Sequence, residues 1–304
     1  DVMAKFATLC DARGDHEKAG SYRQGAEALR DALEAHGWDG EWYLRAYYDD
    51  GTPLGSMENR ECKIDSLAQS WAVLSAAAKD DRAQQAMRAV LEHLVRDDDR
   101  LVLLFTPPFD RTRRDPGYIK GYPPGIRENG GQYTHAAIWA AWAFAELGEA
   151  ETANRLLGML NPIHHGDTRR KVERYRVEPY VMAGDVYSEA PHTGRGGWTW
   201  YTGSGGWMYR LGLEAILGVR RNGKTLEMKP CIPKEWDEYK VSYKQGPTQY
   251  EIHVRNPDHL HRGVVKVTLD GEIVQDGKVP LSGDGQEHRV EVVMGSGKEE
   301  ALQA

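Results

Sequence analysis

The sequence predicts a mainly α-helical protein with a C-terminal β domain, and three observations carry that prediction. Apolar residues recur at helical spacing as far as about residue 219. Strict alternation replaces that spacing afterwards. Between the helical stretches lie long segments rich in Gly, Pro, Trp and Tyr, at 37–60, 105–131 and 162–200.

Val2, Met3, Phe6 and Leu9 share a helical face at the very start, so the chain is expected to be part of a longer polypeptide or a processed product. Leu29, Leu33 and neighbouring alanines predict a helix ending near His36-Gly37. Ile64, Leu67, Ala68, Trp71, Leu74 and Ser75 recur at i, i+3, i+4, i+7, with Asp65 or Ser66 supporting the start. Met87, Val90, Leu91, Leu94 and Val95 form another stripe, and the charges of 79–100 read as its solvated face. Helices over Ala136–Leu147 and Ala153–Leu160 follow, separated by the turn at Gly148-Glu149, and a last one runs from about Ser204 to Leu217. Antiparallel helix pairs with long loops at one end suit an α/α toroid whose loops form a cleft. After Gly218, residues 240–244, 250–255, 265–269 and 290–293 alternate, and Asp270-Gly271 occupies a tight-turn position. The expected division is therefore a helical domain over 1–219, a β domain over 220–296 and a flexible tail over 297–304.

At 304 residues the chain can bury a sizeable core. Its net charge of −7 and lack of a long basic tract argue against a nucleic-acid partner. No apolar run is long enough to span a bilayer, and no signal-peptide pattern opens the chain. Cys10, Cys62 and Cys231 are odd in number and widely separated, which indicates neither a disulfide framework nor a zinc site. A reducing, cytoplasmic setting is expected. No cofactor and no metal are expected, because His164-His165 and His259/His261 lack helical ligand spacing.

Two stretches carry chemistry. In His192–Trp207, glycines, tryptophans and small hydroxyl residues precede an apolar helix. Aromatic rings suit the apolar faces of sugars, and Thr202-Gly203-Ser204 opening a helix suits an anion, because the first N–H groups of a helix have no partner inside it. A glycine-rich turn with buried indoles would have the same composition. Thr202 is a candidate N-cap, and no P-loop lysine follows, which excludes ATP or GTP. In Pro123–His135, the glycines allow close backbone approach and Arg127 offers a charged fork for phosphate or a hydroxyl. Glu128 beside it could bind hydroxyls or pair with the arginine. His135, in the first turn of the next helix, is expected as a partly charged imidazole near an anion or as a packed histidine. Carboxylates are abundant, but no spacing singles out an acid–base pair. Asp39 of Trp38-Asp39-Gly40 is a weak candidate, since that tripeptide also makes a helix-terminating turn.

Together these motifs resemble the inverting β-glucoside phosphorylases of glycoside hydrolase family 94. The resemblance lies in Gly121–Gly131 with His135, Glu178-Pro179-Tyr180-Val181, Trp200–Ser204 and Leu226–Pro233. Asp49–Ser56 and Ile64–Trp71 resemble the branch formed by the C-terminal phosphorylase region of cyclic β-1,2-glucan synthases. The likeness covers nearly the whole chain. It implies part of an (α/α)6 barrel followed by a β-sandwich. It implies phosphate on His135, Thr202 and Gly203, and substrate beside Arg127; Glu128 and Trp200 are expected as further substrate-binding residues.

The family's general acid is the aspartate of a Trp-Asn-Asp motif. That tripeptide does not occur in this chain, and Asp39 does not align with it. Where some relatives carry a glutamine after Glu-Pro-Tyr, this chain has Met182-Ala183-Gly184. The implied partners are a β-glucan oligosaccharide, phosphate, the rest of the same polypeptide and a second copy in a homodimer. The competing classes are an inverting α/α-barrel hydrolase and a non-catalytic carbohydrate-binding module.

Overall fold

The computed structural model describes residues 1–200 and 202–296. The expected flexible tail, 297–304, lies outside the described residues. The chain is mixed helix and sheet, and divides into two compact units. One comprises Asp1–Leu147 with Gly158–Gly206, the other Gly148–Leu157 with Trp207 onward. Helix gives way to strand at Gly218-Val219, where the hydrophobic period changes, whereas one unit boundary falls in the turn at Leu147-Gly148 and the other two inside helices.

In the first unit, α1 (Val2–Ala12) and α2 (His16–His36) form a hairpin. The Asp15 carboxylate caps α2 by accepting the Lys18 N–H. Ala7, Cys10 and Ala19 close the hairpin, while Val2, Phe6 and Leu9 are exposed. Helix α3 (Ser66–Leu74) is capped by buried Asp65, which accepts the Leu67 N–H at 2.7 Å. Helix α4 (Asp80–His93) buries Ala83, Ala86, Met87 and Val90. Helix α5 (Thr134–Glu146) is apolar on every side, and its alanines let α3 pack closely, with Trp71 against Trp139 at 5.4 Å. Each large side chain buried here, such as Ile138 or Phe144, contributes roughly 1.5–3 kcal/mol.

Two expected helical positions are strands instead. Ile64 belongs to Ile64–Asp65, which pairs with Phe105–Thr106, and Val95 to Val95–Arg96, which pairs with Leu101–Val102. Both sit at the edge of a helix and continue its apolar stripe, so period alone assigns them wrongly. For the same reason the helical face expected over 79–100 stops at His93. The segment 162–200 is not structureless, because α7 (Arg169–Tyr175) lies within it, preceded by the 3₁₀ turn Pro162–His165.

Helices α6 (Ala150–Leu160) and α8 (Thr202–Arg210) each cross from one unit to the other, and Leu211–Ile216 continues α8 as a π-helix. In the second unit, β1 (Val219–Asn222), β2 (Thr225–Met228) and β7 (Lys278–Pro280) form a three-stranded sheet in the order β7-β2-β1. A five-stranded sheet has the order β3-β4-β8-β5-β6, from Glu238–Gln245, Thr248–Arg255, Glu287–Met294, Val264–Leu269 and Glu272–Ile273. Along β4, Tyr250, Ile252 and Val254 are buried and Gln249, Glu251 and His253 face the other side, as alternation requires. The β4–β8 pair is parallel, and Asp270-Gly271 turns β5 into β6 with positive φ at both residues.

Candidate functional site

The segment 121–135 is held by Asn129, which is fully buried. Its Oδ1 accepts the Phe109 N–H at 2.7 Å, and its Nδ2 donates to the carbonyls of Phe109 (2.9 Å) and Tyr122 (2.7 Å). Both ends of the amide are therefore spent on the loop backbone. The next residues inward point at the site. Arg127 is left-handed, with φ 51°. Its N–H donates to Asp185 Oδ2 at 3.1 Å. Its guanidinium carbon lies 5.3 Å from the Tyr122 ring and 5.8 Å from the Trp198 ring. Both rings lie within cation–π range of the charged fork. Glu128 Oε2 sits 3.7 Å from Arg127 Nε, buried and without a hydrogen-bond partner among the described residues.

His135 is the second residue of α5. Its ring stacks on Tyr133 at 5.4 Å and leans on Trp139 at 6.1 Å. Burial lowers its pKa below the ordinary histidine value, which works against the partly charged imidazole expected at this position. Its Nδ1 has no partner among the described residues. Its Nε2 lies where a Gly203 side chain would be, 2.7 Å from the position of a Cβ. The missing Cβ thus lets the imidazole reach the first turn of α8, where backbone N–H groups are unpaired within the helix. Arg127, Glu128, His135 and Gly203 all belong to the first unit. Thr202 opens α8, but its hydroxyl lies outside what is described.

Trp200 is 68% exposed, and its side chain and that of Thr199 hydrogen-bond Glu178. The indole against the guanidinium is that of Trp198. Asp39 accepts the Met57 N–H (2.7 Å) and the Ser56 hydroxyl (3.1 Å), an arrangement that closes a loop. Sequence reasoning did not single out Asp185, Tyr122, Tyr133 or Trp198. Tyr122 and Trp198 lie inside the motifs, and nothing but their neighbours in space distinguishes them. A cleft of about 830 Å³ in the same unit is lined by Arg60, Arg96, Thr106, Ile126, Glu189 and His192, and not by Arg127 or His135. Among the described residues no group of three or more His, Cys, Asp or Glu is placed to hold a metal. None of their helices is long and apolar enough to cross a membrane. The three cysteines are buried and free.

Comparison with known proteins supplies the class. The family model described as the catalytic domain of the glycosyl hydrolase 94 superfamily matches residues 2–218, and the chain belongs to that family. At the level of individual relatives, it is 51% identical over 266 residues to the cyclic beta-(1,2)-glucan synthase NdvB of Rhizobium meliloti (strain 1021), covering 88% of this chain and 9% of that protein. It is 32% identical over 298 residues to the N,N'-diacetylchitobiose phosphorylase of Vibrio proteolyticus, covering 97% and 36%. The chain thus spans well under half the length of these relatives. Among solved structures, a chain described as a sialidase superposes with a TM-score of 0.53 at 15% identity, over 79% of this chain and 21% of that one. That likeness is one of fold.

Proposed function

We propose that this chain supplies the phosphate side of an inverting glycoside phosphorylase, which cleaves β-1,2-glucan or a related β-glucoside to give α-glucose 1-phosphate. One observation carries the reading: His135 Nε2 meets the Gly203 position at the opening turn of α8, in the unit where Arg127 is clamped between two rings. Helix N–H groups, an imidazole N–H and a guanidinium together suit a phosphate dianion. His135, Thr202 and Gly203 would hold phosphate, and Arg127, Glu128 and Trp200 would face the sugar. The buried Glu128 Oε2, which faces Arg127 but has no hydrogen-bond partner among the described residues, suits a sugar hydroxyl.

In this mechanism phosphate attacks the anomeric carbon from the face opposite the leaving group, and a carboxylic acid protonates the departing oxygen. Phosphate replaces the water of an inverting hydrolase, so no catalytic base is required, and positioning supplies much of the rate. The acid would be the aspartate of a Trp-Asn-Asp motif, which this sequence lacks. The helices of 1–219 would then form part of an (α/α)6 barrel, and 220–296 a β-sandwich. The chain alone would bind phosphate without turnover.

The test uses a polypeptide that includes the Trp-Asn-Asp segment. Glucan plus inorganic phosphate should release glucose 1-phosphate in proportion to phosphate. Release of free glucose unaffected by phosphate would replace this reading with a hydrolase. In the same protein His135→Ala should weaken phosphate use by about tenfold or more while leaving glucan binding nearly intact. Equal loss of both would count against the assignment.

A further inference from the structure

We infer that Asp185 is a positioning residue of the anion site. Its buried carboxylate fixes the backbone of Arg127 on one side and of Trp198 on the other, and so sets the guanidinium between its two rings. The inference rests on the phosphate reading of that site.

Asp185 is 2% exposed. Oδ2 accepts the Arg127 N–H at 3.1 Å, and Oδ1 accepts the Trp198 N–H at 3.2 Å. Its backbone carbonyl accepts the Gly197 N–H at 2.8 Å. In the ladder formed by Gln132–Tyr133 and Asp185–Val186, Asp185 stands opposite Tyr133, the residue whose ring stacks on His135. One residue therefore registers the loop of Arg127, the loop of Trp198 and the entry to α5. Gly197 completes the fit, because a Cβ there would lie 2.2 Å from Asp185 Oδ1. The carboxylate occupies space that any other residue at 197 would claim.

A negative charge next to an anion site opposes binding, so the residue type needs a reason. Burial pushes the Asp185 carboxyl up, while the Trp198 and Arg127 N–H groups and the Arg127 charge pull it down. Glu128 pushes it up again. What the carboxylate offers is two acceptor oxygens aimed at two N–H donors. An asparagine of the same size offers one, and turns an NH₂ donor toward the other N–H. Arg127 needs such an acceptor more than most residues, because its left-handed backbone is costly unless its surroundings hold it.

The probe is inorganic phosphate, and its affinity is measured by calorimetry for the unaltered chain, Asp185→Asn and Arg127→Ala. Hydrogen exchange follows individual amides. Asp185→Asn should weaken phosphate binding about tenfold or more, with faster exchange confined to the amides of Arg127 and Trp198. An affinity within about twofold of the unaltered chain would overturn the inference. So would exchange that accelerates evenly through the first unit, the signature of a purely structural role. If Arg127→Ala loses phosphate and Asp185→Asn keeps it, this inference fails and the phosphate reading stands. If the unaltered chain binds no phosphate, both fail. Should Asp185→Asn not fold, the unaltered chain decides: phosphate should slow exchange at Arg127 and Trp198 selectively, and no change there would overturn the inference.

Discussion

Gly203 and His135 show how a single absent side chain lets two segments meet. A Cβ at 203 would stand 2.7 Å from His135 Nε2, so the ring would have to shift away from the opening turn of α8. Gly203→Ala lies within the first turn of a helix, where alanine is tolerated. Its effect should therefore fall on the site: phosphate affinity about tenfold weaker or more, with the helical circular dichroism unchanged. A loss of helix in proportion to the loss of affinity would refute this. The sequence made Gly203 and His135 visible through motifs, but the lowered pKa of His135 comes from its burial, with Tyr133 and Trp139 beside the ring. Asp185 was one carboxylate among many, and only its two N–H donors set it apart.

At the scale of elements, the loop 121–131 holds its shape because Asn129 replaces the hydrogen bonds a strand would have given it. Asn129→Ala would leave the Phe109 N–H and carbonyl, both buried, without the side chain that pairs them. The expected loss is about 3 kcal/mol of stability, read as a lower midpoint in urea unfolding. A change below about 0.5 kcal/mol would show that the backbone finds other partners. The long helices were legible, because α4 carries a strong apolar stripe and Asp65 an N-cap signature. The two-residue strands beside them were not. Ile64 and Val95 extend a helical stripe in sequence, yet each is claimed by a strand partner, Thr106 across 42 residues and Val102 across 7. Local period carries no information about such a partner.

At the scale of the molecule, acid should act on the two units in opposite directions. In the first unit, His165 donates Nε2–H to the Met159 carbonyl at 2.8 Å and stacks on Tyr175. Burial pushes it down to about 4 from an ordinary value near 6.5. Between those values the unfolded chain takes up a proton that the folded one does not. Stability should therefore fall as pH drops through that window, by about 3 kcal/mol. In the second unit, His288 Nδ1 lies 2.7 Å from Asp270 Oδ2 and Nε2 lies 3.0 Å from Asp284 Oδ2. The Asp270 hydrogen bond, joined by that of Asp284, raises its pKa. Its contribution is complete below the unfolded value near 6.5 and disappears as pH rises through the raised folded value. Hydrogen exchange between pH 4 and 8 reads both: His165→Phe should flatten the acid loss in the first unit, and His288→Gln the alkaline loss in the second. Unchanged profiles in the variants would assign the pH response to other groups.

The sequence by itself determined the change from helical to strand period near residue 218, the family, and the two motifs that hold Arg127, His135 and Gly203. These are local or repeated patterns, and one chain direction is enough to write them. Tertiary structure decided which aromatic faces the guanidinium, in which direction the pKa of His135 moves, where the compact units divide and which N–H groups Asp185 accepts. Each of those depends on burial or on hydrogen bonds between segments far apart in the chain, such as Arg127 with Asp185 and Asn129 with Phe109. Desolvation and long-range pairing are properties of the folded arrangement, and no window of sequence contains them.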